Sequence, residues 1–343
     1  MTAPPPGPPP PPVMMTQMLN GMLVSRCAAL AAELGIADQL HGGPKSAAAL
    51  ATATGSDPAA LYRVLRTLAG VGVFAERPGG EFQNTPLSET LRSDVEGSVR
   101  KLARWLGHPM HWRVVGDLDH SVRTGRPSVN KDQPDRPPFV VLSQDASAQA
   151  AFNEAMTGHS LAAGAAILAA YDFSGYGRIL DVGGGHGSLS VMIAKAAPAA
   201  SIVIFDLPHV VEGARKNIAS AGLEARVSIA GGSFLEQVPG PADLCVLKFI
   251  LHLFDDAAAT RILSNCRAAL DPGGKLLVSE LLVSPGPEGM PARMMDLEML
   301  LGTGGRERTE AEFSQLCDAA GLKLIRVIET RSPLRLLEIA VAG

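Results

Sequence analysis

RILDVGGGHG, Arg178 to Gly187, is the stretch on which the fold turns. Five residues read as a short buried strand, too brief for a helix, and glycines follow at once. Read as GxGxxG the pattern fails, because Ser188 stands where the third glycine belongs. Read as D-x-G-x-G-x-G it fits, with Asp181, Gly183, Gly185 and Gly187. Glycines let the backbone turn tightly and approach a ligand closely. An acid two positions before the first glycine repels a pyrophosphate but suits a cationic ligand.

Outward from this loop the pattern repeats. SIVIFD, RVSIA, DLCVLKF, KLLVSEL, LKLIRVI and LRLLEIAVA are further apolar, β-branched runs. Helical stretches such as SLSVMIAKAA, HVVEGARKNIASA, AAATRILSNCRAAL and EAEFSQLCDAA separate most of them. This alternation predicts an α/β fold, a Rossmann-like, mostly parallel sheet with helices on both faces. Only TRSPL joins the last two runs, so they are expected to pair antiparallel.

Open α/β sheets bind ligands outside the carboxyl ends of their strands. The second strand ends in Asp206, followed by Leu207. A carboxylate there suits the two hydroxyls of a ribose. A glycine loop, an acid before it and an acid at the next strand end together fit a sulfonium nucleoside with an α-amino group, S-adenosylmethionine (SAM). The third strand leads to Ser233 and Phe234, a polar edge and a flat face for an adenine; a turn with a core Phe reads equally well. The fourth, in KFILHLFDD, brings Lys248 and His252. A histidine titrates near neutrality and takes a proton from a phenol or similar hydroxyl at pH 7. The fifth ends in Glu280, and GGRERT places Glu307 in a glycine-rich loop. Carboxylates beside an imidazole orient it. Of the two, Glu280, ending a buried strand, is the expected participant, and either alone reads as a solvated charge.

Upstream, PPPGPPPPP favours extended chain and predicts a disordered tail over residues 1–12. Val13 to Leu40 reads as helix, with Met14, Met15, Met18, Leu19, Met22 and Leu23 covering more than one face. Packing against a second chain and packing inside its own domain explain that equally. Ser46 caps one short helix and Asp57-Pro58 starts another. A hairpin through Pro78-Gly79-Gly80 follows, a winged-helix layout. Arg63 and Arg66 are the only basic residues on the second helix, which weighs against DNA reading. The expected organisation is tail 1–12, winged-helix-like domain 13–95, helical linker and substrate-pocket region 96–172, and nucleotide-binding domain 173–343.

A net charge of −4 over 343 residues argues against broad binding to nucleic acid or anionic membrane. Cys27, Cys245, Cys266 and Cys317 form no CxxC pair and no metal-ligand spacing, so neither a metal site nor a disulfide is expected. No apolar run reaches bilayer length and no signal peptide is visible, so a cytoplasmic location is expected. Met290, Met294, Met295 and Met299 share a segment suited to a pocket lining or a helix interface.

Together TGSDPAALYRVLRTLAGVGVF, FNEAMTGHS, ILDVGGGHG, FDLPHV, ADLCVLKFILH and GGRERT resemble the small-molecule O-methyltransferases of the plant caffeate/flavonoid and acetylserotonin type, with their bacterial natural-product relatives. The resemblance covers nearly the whole chain after the proline tail. It implies a homodimer through the N-terminal domain and transfer of a methyl group from SAM to a phenolic or enolic hydroxyl. It further implies that Gly183 and Gly185 line SAM, that Asp206 and Leu207 hold its ribose and adenine, and that Ser233 and Phe234 flank the adenine. Lys248 and Ser160 would sit on the cofactor side, Phe152 and Met156 in the substrate pocket. His252 would be the catalytic base, flanked by Glu280 and Glu307.

One departure matters. Where the family usually writes His-Asp-Trp, this chain writes His252-Leu253-Phe254, and Asp255 and Asp256 look like the cap of the next helix. Some relatives on this fold bind SAM yet hydroxylate, decarboxylate or catalyse pericyclic steps, and the Leu253 change leaves that alternative open. A SAM-sensing winged-helix DNA-binding regulator is the alternative from another class.

Overall fold

The computed structural model describes residues 9–342. The chain forms two compact units, one of residues up to Trp112 plus Ala146–Gly158, the other of Arg113–Asp145 plus residues from His159 onward.

In the first unit a helix spans Pro11–Glu33, so the last two residues assigned to the proline tail open a helix instead. Proline is tolerated there because the first helical amides lack partners anyway. Residues 1–8 of that tail lie outside the described residues. The helices Ala47–Thr54 and Pro58–Gly70 start where their caps dictate: Ser46 accepts the Ala49 amide at 3.2 Å and Asp57 the Ala60 amide at 2.8 Å. Strands β1 (Lys45–Ser46), β2 (Phe74–Arg77) and β3 (Glu81–Asn84) form an antiparallel sheet in the order β1-β3-β2, completing the winged-helix layout. Leu50, Leu65, Leu68, Phe74 and Phe82 are its buried core, each contributing about 1.5–3 kcal/mol by leaving water.

The stretch expected as a helical linker is divided between the units. The long helix Ala146–Ala170 belongs to the first only as far as Gly158. Its first half is tied to the helix Arg100–Leu106 by an edge contact of Trp105 with Phe152 and an ion pair of Arg104 with Glu154 at 3.1 Å.

The second unit contains the sheet: β4 (Arg178–Val182), β5 (Ser201–Asp206), β6 (Val227–Gly231), β7 (Ala242–Lys248), β8 (Leu270–Leu281), β9 (Leu322–Glu329) and β10 (Leu334–Val341). The order is β6-β5-β4-β7-β8-β10-β9. Strands β4 to β8 run parallel, and β10 pairs antiparallel with both β8 and β9. Alternation along the strands splits the core in two. Ile179, Leu244 and Val246 face one side, and Leu180, Val182, Cys245 and Leu247 the other. Burial on both faces is why these runs are apolar throughout. The order reverses between β4 and its neighbours β5 and β7, and such a switch point opens a crevice at the carboxyl ends. All four cysteines are free thiols, and burial pushes that of Cys245 up to about 12. No helix among the described residues is long and apolar enough to cross a membrane.

Candidate active site

The glycine loop leaves β4 with Gly183, Gly185 and Gly187 at φ of 72°, 55° and 75°, backbone that other residues adopt only under strain. A side chain at Gly183 would overlap Ile250, whereas nothing stands within 4 Å of the position a Cβ would take on Gly185. Gly185 therefore faces open space. Asp206, at the end of β5, fixes the loop: Oδ2 accepts the Gly185 amide at 2.9 Å and Oδ1 the Leu207 amide at 2.7 Å. Leu207 is exposed beside it. Ser233 and Phe234 follow β6 half-buried, and Phe234 packs edge-on against Phe254. An open glycine cradle with a carboxylate at its rim and a flat aromatic beside it fits a SAM-sized nucleoside.

Asp181 is placed differently from the expectation that it meets a cationic ligand. It is buried, its Oδ2 accepts the Ser190 hydroxyl at 2.6 Å, and a side chain on Gly184 would press against it. Burial raises its pKa, opposed by the Ser190 bond and by Lys248. Its visible work is to pin the loop from below.

Lys248 ends β7, and its Nζ donates to Ser160 Oγ at 2.6 Å, joining two residues 88 apart in sequence. Burial lowers its pKa, while Asp181 and Glu280 pull the other way. Phe249 follows with φ of 56°, an outlier for a bulky side chain. Its ring stacks with two imidazoles, 4.9 Å from His159 and 5.5 Å from His252, with Lys248 Nζ 5.4 Å from its centroid. Neither His159 nor the Phe249 conformation was found in the sequence. His159 stood in a quoted motif, but the left-handed backbone has no signal there.

That conformation has a local cause. With Phe249 left-handed and Ile250 right-handed, successive amides converge, a backbone nest. Glu280, at the end of β8, occupies it: Oε1 accepts the amides of Ile250 at 3.0 Å and Leu251 at 2.9 Å. His252 sits in the single 3-10 turn that results, Leu251–Leu253, and is buried.

Glu307 Oε1 lies 2.7 Å from His252 Nδ1, while Glu280 Oε2 stands 3.6 Å away. The sequence reading that placed Glu280 ahead of Glu307 is thus reversed. Glu280 spends its nearer oxygen on the turn's amides, and Glu307 reaches the ring. Burial works to lower the His252 pKa, but Glu280, Glu307 and the Phe249 carbonyl outweigh it and the net direction is upward. Burial raises the Glu280 carboxyl, and Glu307 adds to that, against His252 and the turn's amides. His252, Glu280 and Glu307 are also the only group of three His, Cys, Asp or Glu side chains among the described residues with metal-ligand proximity. Asp255 accepts the Ala258 amide at 2.8 Å and caps the helix Asp256–Ala269, as its position after Leu253-Phe254 predicts.

Met295 and Met299 lie half-buried one turn apart on the helix Met290–Gly302, whose Asp296 accepts the Glu307 amide at 2.8 Å. That helix runs close to His252. Phe152 and Met156 belong to the first unit, against Trp105 in the case of Phe152.

Residues 115–323 match the family model for the O-methyltransferase domain, and residues 16–94 that for the O-methyltransferase dimerisation domain. The chain is 39% identical over 324 residues to a phenazine O-methyltransferase from Lysobacter antibioticus, covering 94% of each. It is 37% identical over 328 residues to a mitomycin biosynthesis 6-O-methyltransferase from Streptomyces lavendulae, covering 95% of this chain and 93% of the other. The crystal structure of human N-acetylserotonin methyltransferase with SAM superposes with a TM-score of 0.87 at 25% identity, over 100% of both chains.

Proposed function

Because this chain belongs to the O-methyltransferase family and is a SAM-dependent enzyme, we propose that it methylates a phenolic or enolic hydroxyl of a small natural-product-like molecule, with His252 as general base. Phenazine and mitomycin, named for its relatives, indicate the substrate class. Bound SAM supplies a methyl group on a positively charged sulfur, already activated for attack.

The observation that carries the reading is the 2.7 Å contact of Glu307 Oε1 with His252 Nδ1. A carboxylate there accepts the Nδ1 proton and leaves the lone pair on Nε2. Nε2 then takes the proton of the substrate hydroxyl, and the carboxylates stabilise the imidazolium that forms. The open cradle over Gly185 and the Asp206 carboxylate hold the cofactor's nucleoside. Lys248 and Ser160 border the same crevice. Holding the hydroxyl in line contributes about 7–11 kcal/mol, and His252 adds about 10²–10⁴-fold. In His252→Ala, SAM affinity should stay constant while turnover falls by about that factor. Product heavier by one methylene should appear in step with demethylated cofactor. Undiminished turnover in His252→Ala sinks the base assignment.

The partner reading is a homodimer through the N-terminal unit. It is supported by the dimerisation-domain match and by the helix Pro11–Glu33, where Met18 is 75% and Leu19 67% exposed. Sedimentation of a variant with Met18, Leu19, Met22 and Leu23 changed to Ser tests it, a monomer being expected. Four free thiols suit a reducing cytoplasm.

A further inference from the structure

The turn that carries His252 is held on its amide side by Glu280. Its carbonyl side is held by a different segment, the loop from Gly304 to Thr309. Arg306 donates its amide to the His252 carbonyl at 2.9 Å. Arg308, with 0% of its surface exposed, donates Nη1 to the Leu251 carbonyl at 2.9 Å and Nη2 to the Phe254 carbonyl at 2.8 Å. Those two carbonyls bracket His252-Leu253. Arg308 Nε completes the set on Asp256 Oδ1 at 2.9 Å. The Arg308 backbone is itself fixed, its carbonyl accepting the Val283 amide at 3.0 Å just beyond β8. A planar guanidinium with several donors in fixed directions suits such a clamp, where a lysine would not reproduce it.

Gly305 adds an independent observation. It is buried, and a Cβ built on it would overlap the carbonyl oxygen of His252. The loop therefore approaches the turn as closely as backbone allows, and Glu307 reaches the imidazole from that distance.

We propose that Arg308 and Gly305 are positioning residues for His252, setting through the loop backbone the separation between Glu307 and the imidazole. The proposal rests on His252 being the base, though the grip itself does not. Around the imidazole stand Glu280 on β8 and Glu307 in the loop, with His159 and Lys248 against the Phe249 ring that stacks on it. Among these, only Glu307 is carried by the clamped loop.

The test uses the full chain with Arg308→Lys and, in parallel, Gly305→Ala, which removes no polar group. SAM affinity by calorimetry should stay within about twofold, because the glycine cradle is untouched. Turnover should fall about 10²-fold, as for a misplacement near 1 Å, with KM changing far less. The titration of the His252 ring, followed by NMR in cofactor-free enzyme, should move to lower pH as Glu307 withdraws, and the acidic limb of kcat should move with it. An unchanged His252 titration in a folded variant overturns the proposal, as does, in Gly305→Ala, a loss of turnover matched by loss of folded protein. If Arg308→Lys fails to fold, Gly305→Ala decides. Full turnover in His252→Ala defeats the base reading alone and leaves the titration result standing.

Discussion

Glu307 Oε1 lies 2.7 Å from His252 Nδ1, and both side chains are shut away from solvent. The second carboxylate, Glu280, has divided duties, Oε1 holding the Ile250 and Leu251 amides while Oε2 stands 3.6 Å from the ring. Glu307 thus bonds the ring directly, while Glu280 builds the turn that presents it and raises the His252 pKa by its charge.

This division predicts unequal effects of the same chemical change. Glu280→Gln keeps a carbonyl oxygen for the amides, so the turn and most of the turnover should survive. Glu307→Gln removes the charge from Nδ1, and turnover should fall about 10–10²-fold, within the roughly 10²–10⁴-fold that a general base supplies. Steady-state kinetics of the two variants decide it, and a larger loss in Glu280→Gln would reverse the assignment.

The pH dependence follows from the same three groups. In the proposed role His252 takes a proton only when neutral, and its pKa is raised above 6.5. The kcat profile of the wild type should therefore rise through a limb above pH 6.5, and that limb should move down in Glu307→Gln. Stability carries the matching sign. Folded His252 and Glu280 both bind protons more tightly than in the unfolded chain, so their contribution is fully present below the unfolded values of 6.5 and 4.5. It is lost as pH rises through the folded ones. Urea titrations across that window, comparing wild type with His252→Gln, should show the wild type losing more stability as pH rises.

Much of this was legible in the sequence because the sheet writes itself in seven apolar, β-branched runs. The ligand crevice then follows from where those runs end. Asp206 and His252 are candidates for that reason, each standing at a strand's carboxyl end. The order of Glu280 and Glu307 was not, because the distance from Glu307 to the ring depends on how closely Gly305 lets a loop approach a turn over 50 residues earlier. Arg308 lay in a quoted motif, yet nothing in its type or spacing announces a fully buried guanidinium. Asp181 was read as facing a ligand because strand alternation alone does not show that Ser190 would claim its carboxylate.

Asp206 offers a test of the cofactor site apart from the base. Its carboxylate orders Gly185 and Leu207 through two charge-assisted bonds, of the kind worth about 1.5–3 kcal/mol each. Asp206→Ala should weaken SAM binding about 10²-fold or more, measured by calorimetry. Glu307→Gln should leave that affinity unchanged, so a similar loss in both would mean that the two sites are not separable.

Phe249 holds the strained point of the base turn, at φ of 56°. Replacing it with Ala or with Gly removes the same ring, and with it the stacking on His159 and His252. Both variants should therefore lose activity alike. Their stabilities should differ, because left-handed backbone costs an L-residue about 1–2 kcal/mol and glycine almost nothing. Part of that gain is offset by the freedom glycine restores to the unfolded chain. Phe249→Gly should be the more stable by about 1 kcal/mol, read from urea midpoints at equal slope. If Phe249→Ala is the more stable, the turn relaxes out of the left-handed region once the ring is gone. The nest around Glu280 would then be maintained by the aromatic stack rather than by the backbone alone.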